Sequence, residues 1–111
     1  MSAAIDRRQI VRDYKDNPPP MGVYAVLCEA AGIVLVRGSM NVQGAINRDR
    51  FQLRLGGHPD RRLQQAWRMH GEVAFRFDVV DTLKRREDQP HADYREPLAD
   101  LVAMWRQEIA K

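Results

Sequence analysis

The side chains with most to offer chemically are arginines. In "NRDRFQLRL", Arg48, Arg50 and Arg54 fall on a predicted helix, with Arg50 and Arg54 four apart on one face. Arg61 and Arg62 open the next helix. Guanidinium groups so placed can contact phosphate oxygens. They equally describe a solvated helix face balanced by Asp49 and Asp60. The histidines, His58, His70 and His91, lie far apart, and no pair has a metal-ligand spacing. A hard cation needs only one or two carboxylates plus substrate phosphates, so magnesium stays open on composition alone. Ser39 follows Gly38 but lacks the G-x-S-x-G surroundings of a nucleophile elbow. The strongest context belongs to Tyr24 in "GVY", which faces "LVRGSMN" at 35–41 across a short connection.

The elements that must position these groups follow from periodicity. "GVYAVLC" at 22–28 and "IVLV" at 33–36 are β-rich runs joined by the Gly-containing "EAAG", the pattern of a hairpin. Gly38–Ser39 reads as a strand-to-helix turn. Asn41 is placed to cap a helix over 42–55, which Gly56–Gly57 ends. Asp60 caps a second helix, whose Leu63, Ala66, Trp67 and His70 share one face. His70 is placed for a C-terminal capping role. "AFRFDVV" at 74–80 alternates, with Phe75, Phe77 and Val79 on one side. A charged connector leads to a last helix striped by Leu98, Leu101, Val102, Trp105 and Ile109. Both Trp67 and Trp105 are expected to be largely buried.

Upstream, residues 3–16 read as a short helix that "NPPP" at 17–20 stops. The expected organisation is therefore a helical arm and Pro-rich linker over 1–20 and one domain over 21–111. Its fold class is α+β, a three-stranded, mainly antiparallel sheet flanked by helices. The chain has 111 residues, 44% hydrophobic and 30% charged, with a net charge of +3. That permits a nucleic-acid partner without demanding one. The single cysteine, Cys28, excludes an intramolecular disulfide and a cysteine metal cluster, and in a strand it reads as a small buried apolar residue. No run approaches the roughly 20 apolar residues of a membrane span or forms a signal-peptide core. No membrane association is expected, and a cytoplasmic location is the default.

Taken in order, "GVY", a hairpin, a strand ending in "GSMN", "NRDRFQLRLGG" and "LQQAW" followed by "HGEVAFRFDVVD" resemble the GIY-YIG nuclease family over residues 21–83, and the last helix extends the likeness to about 110. The resemblance is greatest to small standalone proteins of that family. It implies phosphodiester cleavage with one divalent metal. A first-motif tyrosine lies near the attacking water, a second-motif tyrosine and a helix arginine assist, and a later glutamate holds the metal. Carried over by position, Tyr24 matches the first tyrosine and Gly38 the second-motif glycine. Val36 stands where the second tyrosine belongs, and Ile46 where the arginine belongs. Arg48 is two residues on, about 200° around the helix, and Arg50 occupies a position often held by histidine. Leu101 or Val102 stands at the metal glutamate.

The resemblance thus implies a degenerate member without a cofactor, binding DNA or RNA through Arg48, Arg50, Arg54, Arg61 and Arg62. One alternative is an active Mg2+- or Mn2+-dependent endonuclease using Tyr24, Arg48 or Arg50, and an acid such as Asp100 or Glu108. Another is an accessory module with a protein partner. The oligomeric state is left open.

Overall fold

The structure is a computed structural model and describes residues 19–89 and 91–110. The expected helix at 3–16 lies outside the described residues. The first strand, β1 (Met21–Cys28), passes through a single 3-10 turn, Glu29–Ala31, into β2 (Ile33–Ser39). Gly32 closes that turn at φ 65°, a left-handed conformation that glycine adopts without Cβ strain. Helices α1 (Val42–Leu55) and α2 (Arg61–His70) follow, then β3 (Arg76–Leu83) and α3 (Arg95–Ala110). The sheet order is β2-β1-β3 and both pairings are antiparallel. This is the three-stranded antiparallel sheet with flanking helices that the sequence implies. No helix among the described residues is long and apolar enough to cross a membrane.

The local signals act where they were expected. Asn41 Oδ1 accepts the Gly44 N–H at 3.0 Å and starts α1. Gly56, at φ 81°, ends it. Asp60 Oδ1 accepts the Leu63 N–H at 3.1 Å and starts α2. Ser39 differs from expectation. It is still in β2, paired with Gly22, and its hydroxyl binds the Asn41 backbone just before α1. The third strand begins at Arg76, because Glu72–Ala74 form a 3-10 turn. His70 is exposed, and the N–H that caps the Trp67 carbonyl comes from Gly71.

Side chains alternate across a strand, so the central β1 supplies two cores. Tyr24, Val26 and Cys28 face α1 and α2, where they meet Ile33, Ala45, Ile46, Leu53, Leu63 and Phe75. Val23 faces the other way and packs with Val36, Leu98 and Val102 beneath α3. The β1–β3 register slips between Val23 and Tyr24, which oppose Asp81 and Val79. Val80 is the extra residue of this bulge, and it joins the core under α3. Val79 keeps to the Phe77 side but is 44% exposed.

Both tryptophans are less buried than the periodicity implies. Trp67 lies at the rim of the first core, 5.1 Å from the Phe75 ring. Trp105 lies at the rim of the second, where its indole N–H donates to Asp81 Oδ2 at 2.8 Å. Only Leu98 and Val102 of α3 are buried, and Ile109, 38% exposed, lines an open groove beside Val34–Arg37 of β2.

Candidate functional site

The site begins at Tyr24, in the middle of the central strand. It is 4% exposed, and its hydroxyl donates to Asp49 Oδ2 at 2.8 Å. Asp49 belongs to α1, on the stripe Val42, Ala45, Ile46, Asp49, Leu53 that the helix buries. Its other oxygen, Oδ1, lies 3.0 Å from His58 Nε2. The imidazole is oriented from behind. The Asp60 N–H donates to Nδ1 at 3.0 Å, so the ring hydrogen sits on Nε2 and points at Asp49. Gln64 holds the loop in turn. It accepts the His58 N–H at 2.9 Å and donates to the Leu53 carbonyl at 3.0 Å. Arg37 stands at the mouth, 3.7 Å from Asp49 Oδ1 and 3.5 Å from Asp60 Oδ2, with its side chain 34% exposed.

Every buried side-chain polar atom among the described residues has a hydrogen-bond partner. A network satisfied this fully fixes one arrangement of strand, helix and loop, because each broken link strands a desolvated donor or acceptor. Burial, reinforced by the hydrogen bond to Asp49 and by its negative charge, pushes the Tyr24 hydroxyl up to about 12. Arg37 opposes the shift and is outweighed. Near neutral pH Tyr24 is a phenol committed to a carboxylate, a poor proton acceptor for a water.

The strand register separates Val36 from Tyr24. Val36 pairs with Ala25 and packs with Val23 beneath α3, on the face opposite Tyr24. The residue directly across from Tyr24 is Arg37. Two side chains that share one site must lie on one face of the sheet, so Arg37 is the β2 residue that meets Tyr24. Ile46 is buried in the same core as Tyr24.

None of the arginines singled out from sequence bonds to this network among the described residues. Arg50 lies over the Phe77 ring, 4.7 Å from its centroid. Arg54 makes a two-pronged ion pair with Glu72, at 2.9 and 2.6 Å. Arg48, Arg61 and Arg62 are exposed, and none makes an ion pair among the described residues. The charged groups that act on Tyr24 are Asp49 and Arg37.

The GIY-YIG resemblance implies a divalent metal, and the residues here do not fit one. Asp49 has both oxygens engaged by donors, with a guanidinium beside it. Leu98 and Val102 of α3 pack against Gly38, so that helix presents apolar groups to the sheet. Among the described residues, no three His, Cys, Asp or Glu side chains converge as a metal site.

Asp49, His58, Asp60 and Arg37 were not identified as a site from sequence. One signal was present: Asp49 sits at i+7 of an otherwise apolar i, i+3, i+4, i+7, i+11 stripe, where an acid must find buried donors.

No family model and no curated protein matches the chain. Solved structures do. The catalytic domain of the homing endonuclease I-TevI superposes with a TM-score of 0.61 over 79% of this chain and 86% of that one, at 19% identity. A glutamate-to-alanine variant of the intron endonuclease I-TevI catalytic domain gives 0.60 over 80% and 82%, also at 19% identity. At that identity the likeness speaks for architecture, and the architecture of this chain is the GIY-YIG-like fold of the I-TevI catalytic domain.

Proposed function

We propose that the chain is a nucleic-acid-binding domain on a GIY-YIG-like fold with impaired nuclease chemistry. The observation that carries this reading is the closure of Tyr24: its hydroxyl is buried and committed to Asp49, which His58 also engages. A group that must sit beside an attacking water needs access to it, and this one has been turned into a structural link. DNA is the first partner to test, because the superposed domains are those of a homing endonuclease. Three exposed arginines support binding: Arg48 on α1, and Arg61 and Arg62 at the start of α2. Arg50 and Arg54 contribute less, since each already has a partner.

The test has two arms. With duplex DNA and magnesium or manganese, the purified chain is expected to give no product. At low salt it is expected to bind duplex, with log Kd varying linearly with log salt. Each phosphate contact adds about 0.9 to the slope, so Arg48→Gln with Arg61→Gln removes about 2 if both touch phosphate. Metal-dependent cleavage lost in Tyr24→Phe would establish an active endonuclease instead. Absence of any complex at low salt would favour an accessory module with a protein partner.

A further inference from the structure

The exposed face of α1 carries a feature that phosphate binding does not use. Phe51 is 62% exposed and Leu55 70%, although both lie on an ordered helix with a complete core behind it. On a helix of 3.6 residues per turn, Arg48, Phe51, Arg54 and Leu55 share one ridge. Arg48 and Arg54 flank the ring by three residues on either side, about 4.5 Å along the axis each way. The only acid of α1 is Asp49, and it is buried. An aromatic face held in solvent between Arg48, which has no ion-pair partner among the described residues, and the Arg54–Glu72 pair presents a stacking surface with phosphate-binding charge on its Arg48 side.

We infer that this ridge binds single-stranded nucleic acid, with a base stacked on Phe51 and Arg48 on the adjoining phosphate. The inference rests on the nucleic-acid reading above and narrows it to unpaired strands. A duplex hides its base faces, so a ring on a convex helix gains nothing from it without unstacking a pair. A single strand offers a face at every nucleotide, and stacking on an exposed aromatic is tolerant of sequence. Charge argues against a second copy of the chain as occupant. A two-fold contact through this ridge would bring Arg48 and Arg54 of each copy towards their counterparts, with only Glu72, among the described residues, as a surface acid paired to either of them.

The experiment titrates a fluorescently labelled mixed-sequence single strand, and the corresponding hairpin duplex, with the full chain at low salt. The single strand is expected to bind more tightly. Phe51→Ala is expected to weaken it by at least about fivefold while changing duplex binding by less than twofold. Phe51→Trp should retain or improve it. Because Phe51 is exposed, an unchanged thermal melt of Phe51→Ala shows that folding is not the cause. Three results would overturn the inference: equal losses on both substrates, no loss on either, or self-association that Phe51→Ala abolishes. Duplex binding that survives while Phe51→Ala has no effect sinks this inference and leaves the broader reading standing. Failure to bind either substrate removes both.

Discussion

Removing the Asp49 carboxylate should cost more than removing its charge. In Asp49→Ala, two buried donors lose their acceptor: the Tyr24 hydroxyl, at 2.8 Å, and His58 Nε2–H, at 3.0 Å. A stranded buried donor costs about 1–3 kcal/mol, so the pair costs about 2–6 kcal/mol. That is a large share of the roughly 5–15 kcal/mol of a typical domain. Asp49→Asn keeps the shape. Its Oδ1 can accept from His58, and its amide can donate to the Tyr24 oxygen, which turns from donor to acceptor. His58 keeps its acceptor, but the buried Tyr24 O–H proton loses its own, so this variant costs about 1–3 kcal/mol, one stranded donor against the two of Asp49→Ala. Arg37 keeps Asp60 in either variant. Urea unfolding followed by tryptophan fluorescence reads both differences directly. Tyr24→Phe provides the cross-check. Combined with Asp49→Asn it strands the new amide donor, so the two substitutions should be non-additive by about 0.5–3 kcal/mol. If Asp49→Ala and Asp49→Asn were equally mild, or if the cycle were additive, the network would not hold α1 to the sheet and the closure of Tyr24 would lose its basis.

The raised Tyr24 hydroxyl makes a pH prediction. The folded state holds this proton up to about 12 against an ordinary 10.0, so the stabilisation is complete below pH 10 and is lost as pH rises through 12. Ultraviolet titration of phenolate absorbance should show one late component that disappears in Tyr24→Phe; a late component unchanged by that substitution would contradict the assignment. At Gly38, an added Cβ would lie 2.5 Å from Val102 Cγ2 and 3.3 Å from Leu98 Cγ. Val102 is β-branched and cannot swing aside freely, so Gly38→Ala should destabilise by about 1–3 kcal/mol. Calorimetry should record a melting temperature several degrees lower, partly restored by Val102→Ala; an unchanged melt would mean that α3 is not seated on Gly38.

What could be read in advance was what is decided locally. Asn41, Gly56 and Asp60 act within three or four residues of themselves, and the helices begin and end where those residues stand. The hairpin and the α3 stripe were legible for the same reason. The site was not, because Tyr24 and Asp49 are 25 residues apart and nothing local marks them as partners. An apolar periodicity also passes over a charged residue, although its place in the stripe is what made Asp49 conspicuous. The partners of the arginines were not legible for a related reason: whether Arg50 finds Phe77, or Arg54 finds Glu72, depends on where β3 and its preceding turn arrive. Matching Val36 to the second tyrosine counted along the chain, and the alternation of the strand then places Val36 on the face opposite Tyr24.

That alternation has a consequence for how the hydroxyl could be opened to solvent. Residue 36 points away from Tyr24 and lines the groove between β2 and the end of α3, so a substitution there leaves the buried phenol untouched. A substitution at residue 37 reaches the Tyr24 face but removes the guanidinium that Asp49 and Asp60 share. Freeing the hydroxyl therefore means releasing Asp49 on α1 and His58 in the loop that follows it together.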